Sequence, residues 1–176
     1  SITAIGHINS KPIKRDGAKV GDVVYVSALP GLSAAGLAIL NRGLDRPRYV
    51  VEAHLNPKLV RPDALIKAAS AMCDISDGLS IDAGHIASAS GVSINLSREL
   101  ISKADDFKDF AELSTELSED TFDWILNGGE DHFFIATVDP KYRSKDLGIE
   151  VGIVEAGNGE VRLDAKEVEI KGYQHF

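Results

Sequence analysis

The hexapeptide Asp74–Leu79 places two carboxylates and a hydroxyl on one tight turn between an apolar run and a stretch with helical periodicity. Magnesium takes oxygen ligands, keeps several waters and is often held by one or two carboxylates together with nucleotide phosphates. Asp74 and Asp77 could supply that partial cage, with Ser76 between them. Asp and Ser are also the commonest helix N-cap residues and Gly the commonest turn residue, so plain helix capping is the alternative.

A second group of polar residues, Asn127 to Asp131, stands just before the apolar stretch 132–138. Its two glycines followed by two carboxylates put polar atoms beside closely approaching backbone, as the rim of a ligand site requires. Three histidines, His54, His85 and His132, have no spacing typical of a histidine-rich metal site, so we expect structural or surface roles for them.

The composition is that of a single soluble domain with one core. The chain has 176 residues, 44% of them hydrophobic and 26% charged, and no apolar run of the length that a membrane span needs. A net charge of -8 without a Lys/Arg cluster argues against nucleic acid or an anionic membrane as the main partner. The single cysteine, Cys73, cannot form an internal disulfide, and its apolar surroundings predict a buried residue rather than a nucleophile. We expect a cytoplasmic location.

Periodicity and punctuation residues predict alternating strands and helices, which favours an α+β fold with a mixed sheet flanked by helices on both faces. Asp77 then lies just before a helix N-terminus, where backbone N–H groups also favour a phosphate. For Gly31 and Gly36 we expect tight packing rather than phosphate contact. The predicted helices are Ser33 (as cap) to about Asn41, Arg48–Leu55, near Pro62 to Ser70, Leu79–Ser90 ended by Gly91, Asp106–Leu117 and Asp120–Leu126. The predicted strands are Ser1–Ile8, Val23–Val26, Met72–Ile75, Val92–Leu96 with one polar face, His132–Val138, Ile149–Val154, Glu160–Leu163 and Glu167–Ile170.

Six segments, in chain order, resemble the C-terminal half of the thiamine-monophosphate kinase family, within the aminoimidazole ribonucleotide synthetase-like superfamily. Sister families carry Gly-rich or Thr-containing turns where this chain has Asp-Ile-Ser-Asp-Gly-Leu, so the acidic form favours the kinase. The resemblance implies phosphorylation of thiamine phosphate to thiamine diphosphate with ATP and Mg²⁺. The segments are 15–22, 33–37, 54–57, 74–79, 128–132 and 172–176.

The same resemblance implies roles for four residues around the phosphates. Asp74 and Asp77 would bind Mg²⁺, and Ser76 and Arg15 would contact the phosphates of ATP. These roles are physically coherent, because phosphoryl transfer needs positioning and charge neutralisation more than covalent help. No residue is assigned as a general acid or base.

On the substrate side, the resemblance implies that Glu130 and Tyr173 contact the thiamine moiety, as a carboxylate and an aromatic ring suit a cationic ring. Tyr173 lies in an aromatic tail that could instead plug the core. Two positions depart from the family. Leu32 stands where many members have Asp, so no acidic role is carried onto that loop, and His132 replaces the usual tyrosine beside Glu130.

The resemblance further implies that the chain is a fragment, with residues 1–12 as a remnant strand and linker and residues 13–176 as the C-terminal domain. The remaining domain of the family carries more magnesium-binding aspartates and would form a homodimer interface, so we expect the fragment to be inactive alone. Two alternatives stay open. One is another ATP-dependent synthetase or dehydratase of the superfamily, and the other is a non-catalytic binding domain in which Asp74 and Asp77 only cap a helix.

Overall fold

A seven-stranded mixed sheet forms the centre of the molecule. The computed structural model of the chain describes Thr3, residues 5–8 and residues 11–168. The strand order is β2-β4-β1-β5-β3-β6-β7, in which β3 and β6 are parallel and the other neighbours antiparallel. The strands are Val23–Val26 (β1), Ala69–Ile75 (β2), Val92–Leu96 (β3), Phe133–Val138 (β4), Ile149–Ala156 (β5), Val161–Leu163 (β6) and Lys166–Glu167 (β7).

Helices fill most of the connections between the strands. The α-helices are Leu32–Asn41 (α1), Arg48–Leu55 (α2), Asp63–Ala68 (α3), Leu79–Ser90 (α4), Arg98–Ile101 (α5), Phe107–Glu116 (α6) and Thr121–Asn127 (α7). Two short 3₁₀ helices cover Pro140–Tyr142 and Lys145–Leu147. Within the described part of the chain, no helix combines the length and the apolar character needed to cross a membrane.

Side chains alternate across the sheet and build an apolar cluster on each face. On β1, Val24 and Val26 enter the larger cluster with residues of α1, α2, α4, α6 and α7. Val23 and Tyr25 enter the smaller cluster on the opposite face, where Leu65 of α3 covers them. The expected mixed sheet with helices on both faces is therefore confirmed, with most of the helical mass on one face.

Several elements follow the sequence pattern closely. The observed bounds of β1, β3, α2 and α4 are the predicted ones. Gly91 ends α4 with a φ of 65°, in the left-handed region that glycine adopts without steric cost. Asp106 and Asp120 stand at the N-cap positions of α6 and α7, and the Asp120 carboxylate accepts from the N–H groups of Phe122 and Asp123.

Three boundaries were predicted wrongly. The helix expected to reach Ser70 ends at Ala68, because Ala69 already pairs with Val138 of β4 and opens the strand three residues before Met72. The small residues of this segment fit a helix or a strand, and the sheet decides between them. Of the strand expected over residues 1–8, Thr3 and residues 5–8 are described and are not in a strand. The strand expected over Glu167–Ile170 begins one residue earlier, at Lys166, and is described as Lys166–Glu167; positions after 168 lie outside the described residues, so its predicted end stays a prediction.

The polar face predicted for β3 is not a solvent-exposed face. Ser93 is fully buried, and its hydroxyl donates a hydrogen bond to the Glu160 carboxylate. This bond, together with the N–H groups of Asn158 and Glu160, lowers the pKa of Glu160 to about 2. Because Ser93 is shielded from solvent, its hydroxyl needs a hydrogen-bond partner within the protein rather than water.

The contact between α1 and α2 gives a stability prediction with a matched control. A Cβ on Gly36 would lie 2.5 Å from the Val50 carbonyl oxygen and 2.7 Å from the His54 Cβ, whereas a Cβ on Gly84 of α4 would find its nearest atom, Val161 Cγ2, at 3.7 Å. We expect Gly36→Ala to lower the free energy of unfolding by about 1–3 kcal/mol through overpacking. Gly84→Ala should raise it by roughly 0.5–1 kcal/mol through helix propensity.

Urea unfolding of the two variants and the parent chain measures both effects. Equal stabilisation by the two alanines would show that α1 and α2 can separate without cost.

Candidate functional site

The acidic turn follows directly from the end of β2. The N-cap of α4 is Gly78, with a φ of 119°, and it has no side chain to offer. Neither Asp74 nor Asp77 therefore stands at the capping position, contrary to the alternative raised by the sequence. Asp74 is exposed and Asp77 is half-buried.

The turn is held from inside the helix by Asp82. One oxygen of this carboxylate, Oδ2, accepts from the N–H groups of Ser76 at 3.0 Å and Asp77 at 3.1 Å. Burial raises the pKa of Asp82, and the two N–H donors act in the opposite direction. Asp82 is thus a structural acid that organises the segment carrying the proposed ligands.

The loop Gly128–His132 packs against this turn through its backbone. The Glu130 N–H donates to the Ser76 carbonyl at 2.9 Å, and the His132 N–H donates to the Ile75 carbonyl at 3.1 Å. Gly129 permits this approach, because a Cβ there would lie 2.5 Å from the Ser76 oxygen. The two segments therefore form one continuous rim.

Glu130 and His132 both have positive φ, 67° and 56° respectively, in the left-handed region that costs a non-glycine residue free energy. The intervening Asp131 is 4% exposed, whereas the Glu130 side chain is 75% exposed. The strained backbone thus separates two adjacent carboxylates, one facing solvent and one facing the interior. His132 Nε2 lies 3.6 Å from Glu130 Oε2.

The interior carboxylate, Asp131, caps helix α1. It accepts from the N–H groups of Gly31 at 2.6 Å and Ser33 at 2.9 Å, and also from that of Leu32. The prediction that Ser33 caps this helix was therefore wrong, because the first N–H groups of the helix donate to the Asp131 carboxylate, which lies in the loop before β4. The Ser33 hydroxyl instead pairs with His54 Nδ1 at 2.9 Å. Burial raises the pKa of Asp131 to about 6, partly offset by these N–H donors.

Arg15 reaches the site because its segment runs along the outer edge of β2. The Met72 N–H donates to the Lys14 carbonyl at 3.1 Å, and the Ser90 hydroxyl donates to the Arg15 carbonyl at 2.8 Å. The Arg15 guanidinium lies beside the Cys73 thiol and acts to lower the pKa of that thiol, against the larger, opposite effect of burial. The segment at Lys14 and Arg15 is therefore an edge segment that positions a cation beside β2.

Cys73 is a buried residue, as predicted. Burial raises the pKa of its thiol to about 11, which opposes a nucleophilic role. Its Sγ lies 3.7 Å from Asp74 Oδ1. Arg15 and Asp74 are thus neighbours of the same thiol.

The structure brings five of the six residues singled out by the sequence to one end of the sheet, where β2 ends and β4 begins. The sixth, Tyr173, lies outside the described residues. Sequence reasoning missed Asp82 and assigned no role of its own to Asp131. An acidic residue in the first turn of a predicted helix was the available signal for Asp82. The five residues are Arg15, Asp74, Ser76, Asp77 and Glu130.

A pocket of about 440 Å³ opens beside this rim, between the start of α1, the end of α2 and the start of β4. Leu32, the departure noted in the sequence, contributes to its wall. Aromatic, aliphatic and acidic side chains and one basic side chain, Lys58, share the lining, which suits an organic ligand with both apolar and charged parts. Its walls include Leu32, Tyr49, Glu52, Asn56, Asp131 and Phe133.

The fold and the site together indicate a class of protein: one with a mixed sheet whose acidic strand-to-helix turn pairs with a Gly-Gly-Glu-Asp loop. Residues 19–142 match the family described as AIR synthase related protein, C-terminal domain, and the chain belongs to that family. Within it, the chain is similar to thiamine-monophosphate kinases. It is 36% identical to the one from Aquifex aeolicus over 93% of this chain and 55% of the relative. It is also 36% identical to the one from Mycobacterium tuberculosis over 100% of this chain and 53% of the relative.

Solved structures of thiamine-monophosphate kinases are also similar to this chain. AaThiL complexed with AMPPCP and TMP superposes with a TM-score of 0.81 at 36% identity, over 93% of this chain and 54% of that one. Thiamine monophosphate kinase from Aquifex aeolicus gives a TM-score of 0.77 at 34% identity, over 89% and 54%. The hydrogenase maturation protein HypE, at 13% identity and a TM-score of 0.63, shares the fold. The chain spans about half the length of the curated relatives it matches.

The buried carboxylate of Asp131 predicts a pH dependence of stability. Its folded-state pKa of about 6 lies above the ordinary 3.8, so between these values the folded state keeps a proton that the unfolded state has lost. Its contribution to stability therefore falls as pH rises from about 4 to about 6, by about 3 kcal/mol in total at 1.36 kcal/mol per unit. Asp131→Asn, neutral throughout, should lose this dependence.

Denaturant unfolding of the parent chain and Asp131→Asn at pH 4 and pH 7 measures it. The constant loss from placing an amide against the Gly31 N–H cancels in the comparison across pH. Asp105→Asn, at an exposed position, is the matched control and should parallel the parent chain. Parallel curves for Asp131→Asn as well would show that Asp131 does not titrate in this range.

Proposed function

We propose that this chain supplies the nucleotide- and substrate-contacting half of a kinase that transfers the γ-phosphoryl group of ATP to the phosphate of thiamine phosphate. The observation that carries the proposal is the backbone-paired rim that brings Asp74, Ser76 and Asp77 together with Glu130, with Arg15 on the adjacent strand edge. The similarity to thiamine-monophosphate kinases supports it.

The donor set at the turn fits a hard cation. Asp74 and Asp77 offer only oxygen atoms, one from an exposed and one from a half-buried side chain. Mg²⁺ takes few protein ligands and completes its shell with water and phosphate oxygens, so two carboxylates suit it better than a closed cage. When bound, the ion supplies neutralisation of phosphate charge.

Two further residues act on the phosphates in this proposal. Arg15 presents a guanidinium beside Cys73, the residue before Asp74, and a guanidinium binds phosphate oxygens in a bidentate manner. Ser76 lies in the turn that leads into α4, so its segment lies next to the positive end of a 12-residue helix. AaThiL was solved with AMPPCP, an analogue of ATP, which supports a nucleotide at this class of site.

The acceptor substrate belongs on the other side of the rim in this proposal. The pocket beside the Gly128–His132 loop combines the rings of Tyr49 and Phe133 with the Glu52 carboxylate, and its lining also includes Lys58. The thiazolium ring of thiamine is cationic, and aromatic faces and carboxylates stabilise such a ring. Glu130, on the exposed side of the same loop, contacts the thiamine moiety in this arrangement, together with Tyr173. The cytoplasmic location and the homodimer stay predictions.

The magnesium assignment predicts the effect of removing one carboxylate. Asp77→Asn keeps the size of the side chain, and its backbone N–H still donates to the Asp82 carboxylate. The change removes one charged oxygen ligand. We expect it to weaken magnesium-dependent binding of AMPPCP to the chain at least about tenfold, as the loss of even an outer-shell partner does. Calorimetric titration with and without Mg²⁺ measures this.

Asp105→Asn, which makes the same change of charge at an exposed position away from the rim, should bind as the parent chain does. Equal affinity of Asp77→Asn and the parent at limiting Mg²⁺ would remove Asp77 from the metal site. Failure of the parent chain itself to bind nucleotide would count against the nucleotide role of this rim.

The chain alone should form negligible thiamine diphosphate. Two carboxylates make only part of a metal cage, and the chain spans about half the length of the relatives. Product formation from thiamine phosphate and Mg²⁺-ATP is measured for the chain and, as positive control, for the Aquifex aeolicus relative. Steady turnover by the purified chain would refute the interpretation that this chain carries only part of the catalytic site.

A further inference from the structure

Behind the acidic turn, three side chains of different chemistry converge on one point. The Cys73 thiol, an Asp82 carboxylate oxygen and a His85 ring nitrogen all lie within 4.8 Å of one another. We propose that Cys73, Asp82 and His85 form a second metal site, for a zinc-class divalent cation, separate from the magnesium site at Asp74 and Asp77. The proposal does not depend on the kinase function.

The distances are those of a site that needs little movement to close. His85 Nδ1 lies 3.4 Å from Asp82 Oδ1, close to the separation of two ligands on one tetrahedral ion. Zinc binds sulfur at ~2.3 Å and imidazole nitrogen at ~2.0 Å, so a sulfur and a nitrogen on the same tetrahedral ion lie about 3.5 Å apart. The three atoms lie within 4.8 Å of one another, so a contraction of about 1.3 Å or less brings them to that geometry.

The central ligand is already fixed in place. Asp82 is 2% exposed, and its Oδ2 is engaged by the N–H groups of Ser76 and Asp77. This leaves Oδ1 directed at His85, and the backbone bonds prevent the carboxylate from rotating away. A ligand oriented by such partners binds a metal more tightly than a mobile one.

The site is reached from solvent through His85. Cys73 is 5% exposed and lies at the end of β2, whereas the His85 side chain is 43% exposed on α4. An ion can therefore arrive from solvent at the imidazole and then contact the two buried ligands. Three protein ligands leave a fourth position for water, the pattern of zinc sites that are open to solvent.

The ligand types separate this site from the neighbouring one. A thiolate and an imidazole prefer zinc, cobalt and related ions, whereas the all-oxygen set of Asp74 and Asp77 prefers magnesium. When the metal binds, the Cys73 thiol releases its proton to solvent and the sulfur–metal bond replaces the S–H bond. The Arg15 guanidinium now beside the thiol competes with the metal for the sulfur.

The single cysteine makes the test specific. The chain is titrated with Co²⁺, a spectroscopic substitute for zinc, in a large excess of Mg²⁺ that fills the oxygen site. Because Cys73 is the one cysteine of the chain, a thiolate-to-cobalt charge-transfer band in the near ultraviolet can come from this residue alone. We expect that band, with visible absorption typical of tetrahedral cobalt, and its loss when Zn²⁺ is added.

One variant that removes a ligand and two control variants test the ligand set. His85→Ala changes a half-exposed helix residue, so the chain should keep its fold, and it should lose the band or need at least about tenfold more Co²⁺. His132→Ala, at a histidine of similar exposure, and Asp105→Asn, at an exposed acid, should both keep the parent's affinity. Circular dichroism confirms folding of each variant.

Absence of the band from the folded parent chain would overturn the proposal. So would a band that survives unchanged in His85→Ala, since the cysteine would then bind cobalt with other ligands.

Discussion

The antiparallel pairing of β2 with β4 is the interaction on which the candidate site depends. Its register sets Ile75 opposite Phe133, and the pairing continues beyond both strands as the Glu130 N–H donates to the Ser76 carbonyl. Backbone hydrogen bonds fix the relative position of two loops that lie more than fifty residues apart in the chain. The side chains on the two loops are thereby held on one rim by backbone hydrogen bonds.

Two buried carboxylates complete this arrangement. Asp82 holds the acidic turn by its backbone N–H groups, and Asp131 holds the start of α1 in the same way. Loop N–H groups without strand or helix partners would otherwise be buried at a cost. Among the described residues, each buried side-chain nitrogen and oxygen has a hydrogen-bond partner. The two buried carboxylates thereby stabilise the loops that carry the more exposed acids of the rim.

Local pattern predicted the elements whose boundaries are set locally. Helix α4 begins after Gly78 and ends at Gly91, because glycine backbone and apolar periodicity both act within a few residues. The start of β2 was predicted wrongly, since Ala69 is extended only because Val138 lies opposite. The cap of α1 was also wrong, because the donor groups near Ser33 found an acceptor from a residue 98 positions away.

The sequence by itself determined the chemical identities at the site: the two carboxylates of the turn, the Gly-Gly-Glu-Asp loop, and the family resemblance that gave these residues their proposed roles. Only the tertiary structure decided that Asp82 and Asp131 are the organising acids, that Arg15 faces Cys73, and that Cys73 lies within 4.8 Å of the Asp82 and His85 side chains of α4. The physical reason is the range of the interactions. Turn and helix preferences are encoded over a few residues, whereas a hydrogen bond or a metal ligand set between distant segments exists only after the sheet has aligned them.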